Sequence, residues 1–282
     1  MTVSAEQIRD QQRSTWDEFS EGWRKWESEV LGWQAPFGEA VIQAARLRPD
    51  SAVLDVASGT GEPGLTAAGL VPRGSVALVD LSEGMLRIAS EKAAARGLAN
   101  VDIVVGDVDA LPFADGTFDA VLCRFGLMYF PKVSSAVKEM VRVAKPGARI
   151  SAAVWGRGAE NPWASLILGT IACHTELPVP PPGTPGLFRC AAVGYMDRVF
   201  RDAELVEVSE RKLSTDLVRA SPELYWEFMT DIATTTAVGL ARADKEGREL
   251  IRSDVFRLLG RYEHDGAIRL RSTATIVAGT RL

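Results

Sequence analysis

Three acids and a run of glycines carry the most chemistry in this chain. Val53-Leu54-Asp55-Val56-Ala57-Ser58-Gly59-Thr60-Gly61-Glu62-Pro63-Gly64 passes from an apolar run straight into a glycine turn. Glycine permits a tight turn and lets the backbone approach a ligand closely. In a doubly wound sheet that turn lies at the carboxyl end of a strand, where ligands bind. Gly59-x-Gly61-x-x-Gly64 matches the dinucleotide fingerprint literally, and Asp80, ending the next apolar run, is placed to hold ribose hydroxyls. An NAD-dependent oxidoreductase is therefore one reading. Three features oppose it. Asp55 is an anion just before the turn, which is unhelpful beside a pyrophosphate. Pro63 removes an amide donor at the helix start, where a phosphate requires one. A further acid, Asp107, follows the third apolar run in Gly106-Asp107-Val108. An amine-bearing ligand with an adenosine suits these acids better than a diphosphate does.

Groups at these positions must be held by a parallel sheet. Short apolar runs at 53–57, 75–80, 101–105, 118–124 and 148–155 alternate with amphipathic stretches such as 83–96 and 134–144. That alternation predicts strands buried on both faces and covered by helices. Ser82 is the expected N-cap of the helix at 83–96. Ahead of the first strand, 5–45 reads as helical and ends at Arg48-Pro49-Asp50. Of the seven tryptophans, Trp16, Trp23, Trp26 and Trp33 fall in this segment, the first three near one helical face. That face either packs on the domain or closes over a ligand. Past Trp155 the alternation lapses. A Pro-rich loop at 178–185 precedes a helix at 191–203 and a strand at 205–216. Ser221 as N-cap and Pro222 at the first helical position open another helix. An amphipathic helix at 250–262 and a β-branched strand at 273–279 complete the chain.

Taken jointly, Asp55-x-Ala57-x-Gly59-x-Gly61, Asp80 and Gly106-Asp107 resemble motifs of the class I S-adenosylmethionine (SAM)-dependent methyltransferases. Leu111-Pro112-Phe113-Ala114-Asp115-Gly116-Thr117-Phe118-Asp119 and Val143-Ala144-Lys145-Pro146-Gly147 extend the likeness. It is dense over 51–155 and nearest to the ubiquinone/menaquinone C-methyltransferase-like (methyltransferase type 11) branch. The resemblance implies a Rossmann-like, doubly wound α/β sheet of seven strands, the last antiparallel. It implies that Asp55 and the loop Ala57, Ser58, Gly59, Thr60 and Gly61 face the methionine moiety of SAM. Asp80 would accept from the ribose hydroxyls, and Leu81 and Met85 would pack on adenine. Gly106, Asp107 and Val108 would meet the adenine edge, and Arg124 and Phe125 would border the sulfonium. One departure stands out. The quinone enzymes place an Arg-Asn pair where this chain has Met128-Tyr129, within Phe125-Gly126-Leu127-Met128-Tyr129, which puts a quinone-precursor acceptor in doubt.

SAM arrives activated, so the reaction needs alignment and exclusion of water more than a catalytic triad or metal. A base is required only for a protonated acceptor; His174 and Tyr129 are the candidates. Acceptor-pocket candidates lie outside the sheet: Phe19 and Trp23 in the N-terminal helix, Met128 and Tyr129 after the fourth strand. Trp155, Asn161 and Trp163 follow the fifth strand, Phe188 and Arg189 end the Pro-rich loop, and Tyr225, Trp226 and Met229 lie in the late helix. Such aromatic and sulfur-bearing groups make an apolar pocket. The expected organisation is a helical lid at 1–48, a SAM-binding domain at 49–156 and 190–282, and cap insertions at 157–189 and 217–262.

Composition agrees. The 282 residues are 46% hydrophobic and 24% charged, as in ordinary globular enzymes. With 32 basic and 37 acidic residues, net charge −5, the chain has no electrostatic footprint for nucleic acid. Three cysteines without C-x-x-C spacing and two histidines argue against a metal or disulfide framework. No apolar stretch is long enough to span a bilayer, the segment 1–14 has no signal-peptide core, and a cytoplasmic location is expected. The expected activity is methyl transfer from SAM, leaving S-adenosylhomocysteine, to a small, largely apolar or aromatic molecule, in biosynthesis or secondary metabolism. The expectation includes no nucleic-acid partner and leaves room for a homodimer. The alternative keeps SAM and the fold but performs cyclisation, decarboxylation or hydrolysis.

Overall fold

The computed structural model describes residues 4–175 and 184–282. Helices α1 (Ala5–Lys25) and α2 (Glu27–Ala45) open it, followed by β1 (Ala52–Val56), α3 (Gly64–Leu70), β2 (Ser75–Asp80), α4 (Glu83–Ala95), β3 (Val101–Val105) and β4 (Phe118–Arg124). Then come α5 (Val133–Val143), β5 (Ala144–Trp155), α6 (Pro162–His174), α7 (Tyr195–Asp202) and β6 (Leu205–Arg219). The chain closes with α8 (Pro222–Ile232), α9 (Thr234–Leu240), α10 (Lys245–Leu259), β7 (Glu263–His264) and β8 (Ala267–Arg281).

The sheet order is β3-β2-β1-β4-β5-β8-β6, with the two-residue β7 added on β8. The first five strands pair in parallel, and β8 runs antiparallel to both β5 and β6. Seven main strands with the last reversed are thus present, and the small β7 makes an eighth. β1 is buried from Val53 to Val56, as a central parallel strand covered on both faces must be. The strand order reverses between β1 and β4. A crevice opens there, outside the carboxyl ends of the strands.

Local sequence rules explain most element ends. Ser82 Oγ accepts from the Met85 amide at 3.1 Å, and Ser221 Oγ accepts from the Leu224 amide at 3.3 Å. The helical stretch 5–45 is two helices, because the backbone leaves helical geometry at Trp26 (φ −102°, ψ 21°). The Trp26 ring is buried, its Nε1 donates to Asp231 at 2.8 Å, and it meets Phe228 edge-on at 5.6 Å. That anchor turns α1 away from α2, so α2 covers the sheet while α1 lies across α4 and α8. The helix expected at 191–203 starts only at Tyr195, behind Gly194 at φ +69°. α10 starts at Lys245 because Asp244 caps it, its carboxylate accepting from the Gly247 amide at 2.8 Å.

β8 is longer than the apolar run at 273–279. Residues 268–272 alternate between buried and exposed, and they pair with the far end of β6. Residues 217–219, read as the start of a cap, continue β6. Residues 178–183 of the Pro-rich loop fall outside the described residues. Helices α6, α8, α9 and α10 pack on one another beyond the carboxyl ends of the strands. Among the described residues no helix is long and apolar enough to cross a membrane.

Candidate active site

The crevice is a cavity with one wall of strand ends and glycine loop, and other walls from α1, α2, α6, α8 and α9. At the end of β1 the chain enters Ala57 at φ +54°, an uncommon conformation for a residue with a Cβ. Gly59 and Gly61 follow at φ +53° and +100°. The Ser58 amide donates to the Val79 carbonyl at 3.0 Å, tying the loop to β2. Asp80 braces the same loop. Its Oδ2 accepts from the Gly59 amide at 2.8 Å and its Oδ1 from the Ser82 amide at 2.9 Å. Burial raises its carboxyl above the usual range, against these donors, which lower it. Each oxygen retains a second lone pair for a ligand hydroxyl.

Asp55 lies beneath the loop, fully buried. Its Oδ2 accepts from the Gly64 amide at 2.8 Å, and its Oδ1 has no partner. Burial pushes its carboxyl up to about 8, with Gly64 and the charge of Arg124 pulling the other way. Ser58 Oγ and Arg124 Nε are also buried without partners. Burial lowers the Arg124 guanidinium from its ordinary value, and Asp55 and Glu62 partly offset this. An acid, a hydroxyl and a guanidinium with unused hydrogen-bonding capacity around one loop fit a zwitterionic amino-acid moiety.

Asp107 lines the cavity beside the loop after β3. Its Oδ1 accepts from the Asp109 amide at 2.9 Å, and its Oδ2 meets Arg9 Nε at 2.9 Å. Arg9 also reaches Asp109 at 2.9 Å, so helix α1 is fastened to the loop after β3. A second fastening joins Asp17 Oδ1 to the Ser82 hydroxyl at 2.6 Å and the Gly84 amide at 3.0 Å.

Beyond Arg124 the walls turn aromatic. Phe125 stands at φ +60° and stacks on Trp155, with ring centroids 3.9 Å apart and planes 9° apart. Trp33 stacks on Trp155 at 5.6 Å and meets Trp163 edge-on at 4.7 Å. Trp16 bridges Trp23 and Tyr129 at 6.3 and 5.4 Å. Burial pushes the Tyr129 hydroxyl up from its ordinary value, so it carries its proton at neutral pH.

A family model described as a methyltransferase domain matches residues 53–147. The match covers 95 of the 282 residues. Over 111 residues the chain is 39% identical to the ubiquinone/menaquinone biosynthesis C-methyltransferase UbiE of Pseudomonas entomophila, covering 39% of this chain and 43% of that protein. Over 105 residues it is 42% identical to the demethylmenaquinone methyltransferase of Bacillus cytotoxicus, covering 37% of this chain and 44% of the other. The chain thus spans under half the length of these relatives. The solved phosphoethanolamine N-methyltransferase 2 of Haemonchus contortus shares the fold, at TM-score 0.61 and 17% identity, over 99% of this chain and 60% of that one. The matched segment holds the glycine loop, Asp80, Asp107 and Arg124. Trp155, Trp163, Met229 and both N-terminal helices lie outside the matched segment.

Of the residues singled out in the sequence, the cavity wall includes Ala57, Ser58, Asp80, Leu81, Met85, Gly106, Asp107, Val108, Arg124 and Phe125. Trp23, Tyr129, Trp155, Trp163 and Met229 join them. Asp55, Gly59, Thr60 and Gly61 shape the loop from behind the wall. The remainder stand elsewhere. His174 is in the last turn of α6, its Nε2 2.8 Å from Asp254 of α10, and does not reach the cavity. Tyr225 is buried and donates to the Trp163 carbonyl at 2.8 Å, which locks α8 to α6. Trp226, one residue on, points to the other side of α8 and meets Phe256. Asn161 spends its amide on the Arg157 and Thr273 carbonyls and accepts from the Thr273 amide and Trp163 Nε1. Arg189 holds the Phe130 and Pro131 carbonyls. Met128 is buried beneath the turn after β4, Phe188 lies against Gly158, and half-buried Phe19 is off the wall.

Sequence reasoning missed Arg9, Gln12, Gln34, Glu62 and the run Ala233-Thr234-Thr235-Thr236. It noted Trp16 and Trp33 without assigning them to the site. Trp16 shares a helical face with Trp23, a usable signal. Gln34, an amide within the apolar stretch of α2, was another.

Proposed function

We propose that this chain is a SAM-dependent methyltransferase that acts on a small, largely apolar or aromatic acceptor. One observation carries the reading. The glycine loop with Asp80, and the unpartnered Ser58 Oγ and Arg124 Nε beside it, opens into the same cavity as the aromatic chamber. One end offers polar groups suited to an adenosine and an amino acid; the other offers rings. SAM, when bound, supplies a methyl group on a positively charged sulfur that is already a good leaving group. The chain's own residues do the rest. Asp80 and Asp107 orient the nucleoside, Ser58 and Arg124 meet the charged amino-acid end, and Asp55 braces the loop from beneath. Trp16 and Trp23 of α1 exclude water from above, and the rings of Phe125 and Trp155 fix the acceptor plane. Tyr129, protonated, donates a hydrogen bond rather than abstracting a proton. His174 has no role in this proposal.

The relatives' names point to quinone biosynthesis, but the chamber lies mainly beyond residues 53–147, which the family model matches, and Met128-Tyr129 stands where the resemblance places the quinone enzymes' pair. A biosynthetic acceptor of other structure fits better. Calorimetric titration with S-adenosylhomocysteine tests the cofactor. Asp80→Asn is expected to weaken binding at least about tenfold, the worth of one to two hydrogen bonds to a charged group. Absence of binding to the wild-type chain would sink the proposal. Turnover of an acceptor with no labelled methyl in the product would instead favour the non-methylating alternative.

A further inference from the structure

The aromatic chamber is poor in charge but holds hydrogen-bonding groups with nothing to bond. Thr236, at the start of α9, is fully buried, lines the cavity and leaves its Oγ1 without a partner. Gln34 of α2 is 4% exposed and lines the same cavity, and its amide makes no hydrogen bond with another described residue. It stands one helical turn before Gly38, where a Cβ would come within 3.4 Å of Pro63 and 3.9 Å of Arg124. Gln34 therefore belongs to the junction between the glycine-loop end and the chamber. A buried donor or acceptor left unpaired costs about 1–3 kcal/mol. Thr236 Oγ1 is such a group, and Gln34 adds an amide on the same cavity wall for the polar atoms of a guest.

The charge distribution says which guest. Arg9, Glu62, Asp80, Asp107 and Arg124 gather at the strand ends and the loops behind them. Thr236 stands on α9, which packs on α6 and α8, and those helices with α2 give the cavity Trp33, Trp163, Leu168, Met229 and Ile232. Tyr129, bordering Trp16, adds a neutral hydroxyl. An ionised acceptor would lose its hydration there without gaining a counter-charge, at a cost of several kcal/mol in such surroundings. Building on the SAM reading above, we propose that Gln34 and Thr236 select the acceptor, an uncharged, flat, oxygen-bearing molecule. Its hydroxyl or carbonyl bonds to Thr236, and polar atoms nearer the methyl donor bond to Gln34.

1-Naphthol, naphthalene and 1-naphthoate are suitable probes at pH 7, because they share a ring system and differ in oxygen and charge. Each is titrated by calorimetry into the full chain, with and without saturating S-adenosylhomocysteine. The expected order is 1-naphthol tightest, by about tenfold over naphthalene, with 1-naphthoate weakest. Thr236→Val reduces 1-naphthol affinity several-fold, Gln34→Leu reduces the affinity of 1,5-dihydroxynaphthalene, whose second hydroxyl reaches Gln34, and neither variant changes the affinity for naphthalene or S-adenosylhomocysteine. Tightest binding of 1-naphthoate, equal binding of 1-naphthol and naphthalene, or no binding of 1-naphthol overturns the proposal. Loss of S-adenosylhomocysteine affinity in Gln34→Leu overturns the share given to Gln34. The probe comparison on the unmodified chain stands even where a variant fails to fold. The titrations without S-adenosylhomocysteine judge the chamber separately from the cofactor reading.

Discussion

Asp55 shows how one residue can couple burial to pH. Its carboxyl lies under the glycine loop with one oxygen bonded to Gly64 and the other bare. Burial raises it to about 8 from the ordinary 3.8. The ligand-free folded state therefore holds a proton that the unfolded state releases. Stability from this proton is fully present below about pH 4 and is lost as pH rises through about 8. Asn keeps the Gly64 acceptor and cannot ionise. Thermal melts from pH 5 to 9 are expected to show Asp55→Asn gaining on the wild-type chain as pH rises. A difference that stays constant across that range would mean that Asp55 is ionised throughout.

Among the elements, the turns after β1 and β4 are built against each other. Ala57 and Phe125, the residues following those strands, both adopt positive φ. For residues with a Cβ this costs on the order of 1–3 kcal/mol each. Gly126 permits the arrangement: a Cβ there would lie 2.6 Å from Ala57 Cβ and 2.9 Å from Cys123 Sγ. The two turns cannot relax separately, so the cavity floor is held in one shape. Gly126→Ala is expected to destabilise the fold by about 2 kcal/mol or more through overpacking, read from denaturant midpoints. Ala57→Gly removes a strained Cβ and is expected to stabilise by about 1 kcal/mol. A stability loss in Ala57→Gly would show that the Cβ contacts outweigh the backbone strain.

Across the whole molecule, the two N-terminal helices differ in how firmly they are held. α2 buries nine residues, among them Phe37, whose ring meets Phe125 at 5.5 Å and Trp155 at 5.4 Å. α1 buries only Ser20 and is fastened by polar contacts, including Arg9 to Asp107 and Asp17 to Ser82. Segments with few buried contacts open first, and contacts between charged groups weaken with salt. Hydrogen exchange is expected to be at least about tenfold faster in α1 than in α2, faster again at high salt, and slowed in α1 by S-adenosylhomocysteine. Equal protection of the two helices would mean that α1 is part of the core and no route into the cavity.

The sequence by itself determined the sheet, the glycine loop and the acids at its strand ends. Each of these is local: an apolar run of strand length, a turn that requires glycine, an acid within two residues of a strand terminus. Asp80, Leu81, Met85, Gly106, Asp107 and Val108 accordingly meet in one cavity. The chamber was only partly legible. Trp23, Trp155 and Trp163 were readable as rings outside the sheet. Nothing along the chain distinguished them from Tyr225 and Trp226, neighbours on α8 that face into the helix packing and towards Phe256. His174 was chosen for its chemistry alone, and the direction of α6 carries it to Asp254 and away from the cavity. Gln34 and Thr236 lie 202 positions apart in sequence. Only the packing of α2 and α9 around one space makes them a pair. Side chains far apart along a chain share a site through helix directions and crossing points, which tertiary packing decides and local spacing does not encode.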